Sequence, residues 1–128
     1  NIMNNKLKNK RITFLGVTFK AGTDDMRESP SLKLIPSLIR KGSLIKYYDP
    51  SGFKKEFNKF KNINYSSNIK EACENADLLI IHTEWNEFKQ LNFKNIVKKK
   101  NFKIYDMRNL YSPYKMKKNK VNYFCIGR

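Results

Sequence analysis

Ala76-Asp-Leu-Leu-Ile-Ile81 is the stretch from which the fold is read. Its apolar residues follow one another without alternation, whereas a strand with one wet face alternates apolar with polar. A strand covered on both faces belongs to a mostly parallel sheet, because the crossovers between parallel strands lay helices on either side. Upstream, Arg11-Ile-Thr-Phe-Leu-Gly-Val17 is a second short apolar run, ending at a glycine. Ser29-Pro30 then marks a helix start, with proline at the first helical position. Leu32, Leu34, Ile35, Leu38 and Ile39 form one apolar stripe, Pro36 is expected to kink it or crowd its first turns, and Gly42 ends it. Leu44 to Tyr48 reads as the next strand, closed by Asp49-Pro50.

The remaining elements are shorter. A weak helix is expected over 53–60 and an extended piece over 63–65. The spacing of Asn68 and Glu71 is that of a capping box, opening a helix to Asn75. A helix over 93–99, a strand over 103–106 and a final strand over 121–125 complete the reading. Strands alternating with helices at this spacing predict a single α/β domain, a Rossmann-like open, mostly parallel sheet with helices on both faces. The domain runs over 11–128, behind a polar extension at 1–10 whose Asn1-Ile-Met3 reads as an expression remnant ahead of a methionine.

Composition bounds the function. The 128 residues are 40% hydrophobic, with nine Phe and seven Tyr, enough for a real core. No apolar run approaches the roughly 20 residues that span a bilayer, and the polar start is no secretory signal, so the expected compartment is the cytoplasm. Two cysteines 52 positions apart and one histidine exclude a disulfide framework and nearly exclude a Cys/His zinc site. Lys+Arg 27 against Asp+Glu 11 leaves a net charge of +16. Five of those cations are arginine, the side chain suited to reading bases and gripping phosphate in bidentate fashion. Lysine mixed with asparagine and isoleucine along the whole chain reads as an A/T codon bias on a solvated surface. Nucleic acid is therefore not an expected partner, and a polyanion-binding face stays as an alternative.

Ligands of open α/β sheets bind outside the carboxyl ends of the strands. Three such ends carry unusual polar content here: 16–27, 82–85 and 106–109. Gly16 and Gly22 are too far apart for the G-x-G-x-x-G fingerprint of a dinucleotide site. The segment from Phe19 to Pro30 exceeds what a plain strand-to-helix connection needs. Lys20 and Arg27 within it suit two different anionic groups, or else pair with Asp24, Asp25 and Glu28 at the surface.

Five pieces follow in order: Gly16-Val-Thr-Phe-Lys20, Thr23-Asp-Asp-Met-Arg-Glu-Ser-Pro30, Tyr48-Asp-Pro50, Thr83-Glu-Trp-Asn-Glu-Phe88 and Asp106-Met-Arg-Asn109. Together they resemble the C-terminal, UDP-binding domain of the UDP-glucose/GDP-mannose dehydrogenase family, over about residues 11–128. Thr-Glu-Trp-x-x-Phe is similar to the branch that oxidises UDP-glucose. The resemblance implies an enzyme fragment. Members oxidise the sugar C6 alcohol to a carboxylate in two NAD-dependent steps, through a cysteine thiohemiacetal and thioester. An N-terminal domain holds NAD, a helical segment joins it to the UDP-binding domain, and the full-length enzyme is expected to be a homo-oligomer. Phe19 and Lys20 match the pair that contacts the UDP-sugar, Arg108 the arginine that reaches the nucleotide, and Arg27 the arginine directed toward NAD. Asp106 and Asn109 read as supports of the Arg108 loop.

The departures bear on activity. The family's catalytic cysteine lies in a glycine-rich context that is absent here, so no catalytic residue is expected and the chain alone should be inactive. Cys73 and Cys125 read as packed or half-buried thiols. His82 stands where the family is usually apolar and reads as a packed histidine, with a proton shuttle as the alternative. Met107 replaces a small residue and is expected to crowd the nucleotide pocket. Trp85 reads as packing under its loop, with stacking on a ligand as the alternative. A standalone nucleotide-sugar binding or regulatory module is the competing function.

Overall fold

A computed structural model describes residues 6–127, so the expression remnant assigned to Asn1–Met3 lies outside the described residues. Six strands form one sheet: β1 (Arg11–Leu15), β2 (Leu44–Tyr48), β3 (Ile63–Tyr65), β4 (Leu78–Ile81), β5 (Lys103–Asp106) and β6 (Asn122–Cys125). Their order is β3-β2-β1-β4-β5-β6, and every pairing is parallel, so the expected mostly parallel sheet is wholly so. The chain winds outward from β1 in one direction, then returns to β4 and winds in the other. The gap between β1 and β4 is the switch point where ligands of such sheets sit.

Helices α1 (Ser31–Arg40), α2 (Ile69–Cys73), α3 (Phe93–Ile96) and α4 (Pro113–Lys118) cover the sheet. Alternate residues of the central strands feed two separate cores. Ile12 and Phe14 of β1, with Leu78 and Ile80 of β4, pack on Ile35 and Leu38 of α1. Leu15, Leu79, Ile81 and Ile104 pack on the opposite side against Ala72 and Cys73 of α2, Phe93 of α3 and Met116 of α4. All four residues of β4 are buried, as an unbroken apolar run requires.

Helix α1 runs unbroken through Pro36 and ends as the sequence indicates. Gly42, with φ +90, donates to Ile39 O at 2.9 Å, and Ser43 N donates to Leu38 O at 3.1 Å. These two bonds satisfy the last carbonyls in a Schellman turn. Asn68 caps α2, its Oδ1 accepting from Glu71 N at 2.7 Å, but the helix stops at Cys73 rather than Asn75.

Two further expectations are corrected, and one helix is new. The helix expected over 53–60 is only a 3-10 turn at Lys55–Phe57. The Tyr47 hydroxyl accepts from Lys54 N at 2.8 Å and holds Lys54 extended, and Phe57 is the buried residue of the turn. The helix expected over 93–99 stops at Ile96, because Val97 is extended and Lys98 N donates to Glu74 O at 2.8 Å, drawing the chain toward β5. Helix α4 was not expected. Its serine caps it, with Ser112 Oγ accepting from Lys115 N at 3.3 Å and Pro113 in the first turn, whereas α1 has Pro30 at its cap position with no side-chain cap bond, not the serine cap expected from Ser29-Pro30. Met116 is its buried residue, and the surrounding lysines obscure the apolar stripe.

Candidate functional site

At Gly16 the chain leaves β1 with φ +81, a left-handed torsion that side chains resist. A Cβ there would lie 2.5 Å from the Cβ of Thr83, so glycine is required for space as well as torsion. The next three residues are gripped from four directions. Val17 N donates to Asp49 Oδ2 at 2.8 Å, and Thr18 N reaches the same oxygen at 3.4 Å. Val17 O accepts from Ser29 Oγ at 2.5 Å and Ser31 Oγ at 2.6 Å, both at the start of α1. Thr18 O accepts from Thr83 Oγ1 at 2.7 Å, and Phe19 O accepts from Arg108 Nη2 at 2.5 Å. The ends of β2, β4 and β5 and the start of α1 thus each hold at least one backbone group of the turn after β1. What remains outward is the side chain of Phe19, 47% exposed, and that of Lys20, which forms no ion pair among the described residues.

Arg108 is locked in turn. Its Nε donates to His82 O at 2.8 Å, so one guanidinium joins the exits of β1, β4 and β5. A guanidinium carries five N–H donors, which leaves others for a ligand beside Phe19. The loop carrying it is organised by Asp106, which is fully buried. Asp106 accepts from Arg108 N at 3.0 Å, Leu110 N at 2.7 Å, Tyr111 N at 3.0 Å and the Tyr123 hydroxyl at 2.7 Å. Asn109, with φ +53, exchanges two bonds with Ile126 and ties the loop to the chain after β6.

His82 is 1% exposed, with its Nδ1 3.0 Å from Thr83 Oγ1. The proton of that hydroxyl goes to Thr18 O, so Nδ1–H is the donor and Nε2 keeps a buried lone pair without a partner among the described residues. Burial, and then the Arg108 guanidinium, push the imidazole down from 6.5 to about 4, against a smaller pull from Asp49. At neutral pH His82 is a neutral, packed strut of the turn. Met107 packs into the core on the α1 side, and Trp85 packs against the opposite core with its Nε1 unpartnered among the described residues.

Arg27 lies apart. Its guanidinium forks onto Asp25, with Nε 3.0 Å from Oδ1 and Nη2 2.9 Å from Oδ2, and its side chain is 88% exposed. The hydrogen bonds from Arg27 hold the Asp25 carboxyl at about 2. Being exposed, this pair adds little to stability. The structure therefore brings Phe19, Lys20 and Arg108 together and leaves Arg27 on the outer half of the same excursion. Sequence reading missed the roles of Asp49, Thr83, Ser29 and Ser31. Each stands directly after a strand or at a helix start, and each acts on backbone atoms, for which no side-chain motif gives a signal.

Residues 13–113 match the UDP-glucose/GDP-mannose dehydrogenase family, UDP binding domain. The UDP-glucose 6-dehydrogenase of Rickettsia typhi is 40% identical over 129 residues, an alignment covering 98% of this chain and 30% of the relative. That of Rhizobium meliloti is 35% identical, covering 95% and 28%. Among solved structures, a UDP-D-ManNAc dehydrogenase from Pyrococcus horikoshii superposes with a TM-score of 0.74 at 27% identity, covering 96% of this chain and 27% of that one. An NDP-N-acetyl-D-galactosaminuronic acid dehydrogenase from Methanosarcina mazei gives a TM-score of 0.83 at 24% identity, over 98% and 26%, a likeness of fold. The chain spans about 30% of the length of the curated relatives it matches.

Proposed function

The chain belongs to the UDP-glucose/GDP-mannose dehydrogenase family, within its UDP-binding domain, and we propose that it is the UDP-sugar-binding part of an NAD-dependent UDP-glucose 6-dehydrogenase. The parent enzyme would convert UDP-glucose to UDP-glucuronate, with NAD and the cysteine nucleophile supplied by its other domains. The observation that carries this reading is the gripped turn at the β1/β4 switch point, which presents Phe19 and Lys20 beside Arg108. In it, the Lys20 ammonium and the free N–H groups of Arg108 meet the diphosphate or the sugar hydroxyls, and the Phe19 ring covers an apolar face of the ligand.

This domain does not itself fit the pyrophosphate of NAD. In a dinucleotide fold the amides after β1 receive the phosphate, and here the amides of Val17 and Thr18 are capped by the buried Asp49 carboxylate. The contribution of this chain toward NAD is then Arg27, exposed and held among the described residues by Asp25 alone, which can turn to a facing domain. Neither thiol replaces the missing nucleophile. Cys73 is fully buried with its thiol pushed up to about 12 by that burial, and Cys125 is half-buried. Alone, the chain binds without oxidising. Its setting would be a cytoplasmic homo-oligomer. Among the described residues no helix is long and apolar enough to cross a membrane.

Titration with UDP and with UDP-glucose, followed by calorimetry and amide NMR, tests the proposal. Shifts should centre on Phe19, Lys20 and the Arg108 loop. Lys20→Ala should weaken binding by about 1.5–3 kcal/mol, the range of a charge-assisted hydrogen bond. An unchanged affinity would remove Lys20 from the site.

A further inference from the structure

The lysines that look scattered along the sequence are sorted in space. In an all-parallel sheet every segment leading into a strand lies at one edge and every segment leaving a strand lies at the opposite edge. Residues 6–11, 40–43, 59–62, 98–103 and 117–121 lead into β1, β2, β3, β5 and β6. These 25 residues hold fifteen cations and no acid. Residues 20–28, 49–56, 84–89 and 106–108 leave β1, β2, β4 and β5, and these 26 residues hold six cations and eight acids. A codon bias acts on both sets alike and cannot separate them. The two acids leading into β4, Glu74 and Asp77, pair with Lys98 at 3.4 Å and Lys99 at 2.8 Å and so cancel two of the fifteen. All four helices also end at this edge, so their partial negative ends take up some of the charge, on the order of half a charge each. A large surplus remains.

The edge also has a seat. A crevice of about 130 Å³ opens between α2 and the starts of β1, β2 and β3, lined by Arg11, Lys46, Lys61, Asn62, Asn64 and Asn75 among others. Lys46 is steadied there by its bond to Glu71 O at 3.3 Å. Three cations and three side-chain amides around a small opening suit a phosphate group.

We propose that this strand-entry edge is a docking strip for the phosphodiester backbone of nucleic acid, bound without sequence preference. Six strands at about 4.8 Å spacing make a line about 24 Å long, which matches a linear polyanion. Lysine in place of arginine suits charge contact without base reading. A lipid surface fits less well, because interfacial binding needs apolar anchors beside the basic groups. The exposed large apolar residues, Phe19, Phe53, Tyr114, Phe124 and Ile126, all lie outside the five entry segments. The strip is at the opposite edge from Phe19, Lys20 and Arg108 and is independent of the nucleotide-sugar reading.

The test is anisotropy of a fluorescent DNA duplex titrated with this chain at several salt concentrations. One variant carries Lys8→Gln, Lys61→Gln, Lys100→Gln and Lys118→Gln, four exposed lysines from four entry segments. A second carries Lys33→Gln, Lys55→Gln, Lys89→Gln and Lys94→Gln, exposed lysines outside those segments, with the same loss of net charge. Thermal unfolding of both confirms the fold. The edge variant should bind at least about tenfold more weakly near 100 mM salt, with the salt slope reduced by about 3. The second variant should keep the slope of the parent chain. Equal losses in the two variants would show net charge alone at work and overturn the proposal. So would failure of the parent chain to bind duplex near 100 mM salt, or tighter binding to phosphatidylserine vesicles than to duplex.

Discussion

Gly16 and Gly22 stand at the two ends of one excursion from β1, with nearly the same torsion, φ +81 and +82, and in opposite surroundings. Around Gly16 there is no room for a methyl group, and the residues after it are held by Asp49, Ser29, Ser31, Thr83 and Arg108. Around Gly22 nothing lies within 4 Å of an added Cβ, and the segment that follows is held by its own neighbours. There Asp25 N donates to Thr23 Oγ1 at 3.1 Å, and Arg27 N donates to Asp25 Oδ1 at 2.9 Å. The two arginines show the same contrast, for each precedes a residue in the left-handed region, Glu28 at φ +63 and Asn109 at φ +53. Arg108 is bonded to carbonyls from two other strand exits, Arg27 to a carboxylate two residues back. A cation fixed by several elements is placed in advance for a ligand on this domain. A cation fixed only by a local pair exchanges its partner at little cost.

The glycines offer the largest test of that contrast. Gly16→Ala should lower stability by about 3–4 kcal/mol, from the left-handed strain together with the clash on Thr83. Gly22→Ala should cost only the strain, about 1 kcal/mol. Urea unfolding of the two variants measures both, and similar losses would mean that the first half of the excursion is no more constrained than the second. Acid should also separate the halves. His82 titrates at about 4 when folded and near 6.5 when unfolded, so the unfolded chain takes up its proton first as the pH falls. Its contribution is complete above about 6.5 and is lost progressively down to about 4, roughly 3 kcal/mol in all. Unfolding free energies at neutral pH and at pH 4 should differ by that much more in the parent chain than in His82→Gln. The Asp25–Arg27 pair should persist in the same range, because its carboxyl titrates at about 2.

The sheet was legible in the sequence because burial on both faces leaves an unbroken apolar run, as in Leu78–Ile81. Helix α1 was legible because its stripe and its Gly42 stop agree. The shorter helices were legible only in part: α2 and α3 stop earlier than expected, and α4 was not expected at all. Each of α3 and α4 buries one residue, Phe93 or Met116, and so leaves no periodic pattern to read. At the site, Phe19, Lys20 and Arg108 were readable through the resemblance of their motifs. The framework that brings them together was not, because Asp49, Thr83, Ser29 and Ser31 act on main-chain atoms of a turn 12 to 65 positions away. The lysines failed to read as a surface for a related reason, since only the parallel topology shows that five separated clusters share one edge.

The measurement that bears most directly on the account is a calorimetric titration of UDP into the parent chain, Arg108→Ala and Arg27→Ala. Arg108 is already fixed against the turn that carries Lys20, so its loss should weaken binding by about 1.5–3 kcal/mol. Arg27→Ala should change the affinity by less than about 0.5 kcal/mol, as expected for an exposed side chain away from the ligand. Equal losses in the two variants, or a loss confined to Arg27→Ala, would contradict the division between a fixed arginine for the nucleotide and a free one for a facing domain.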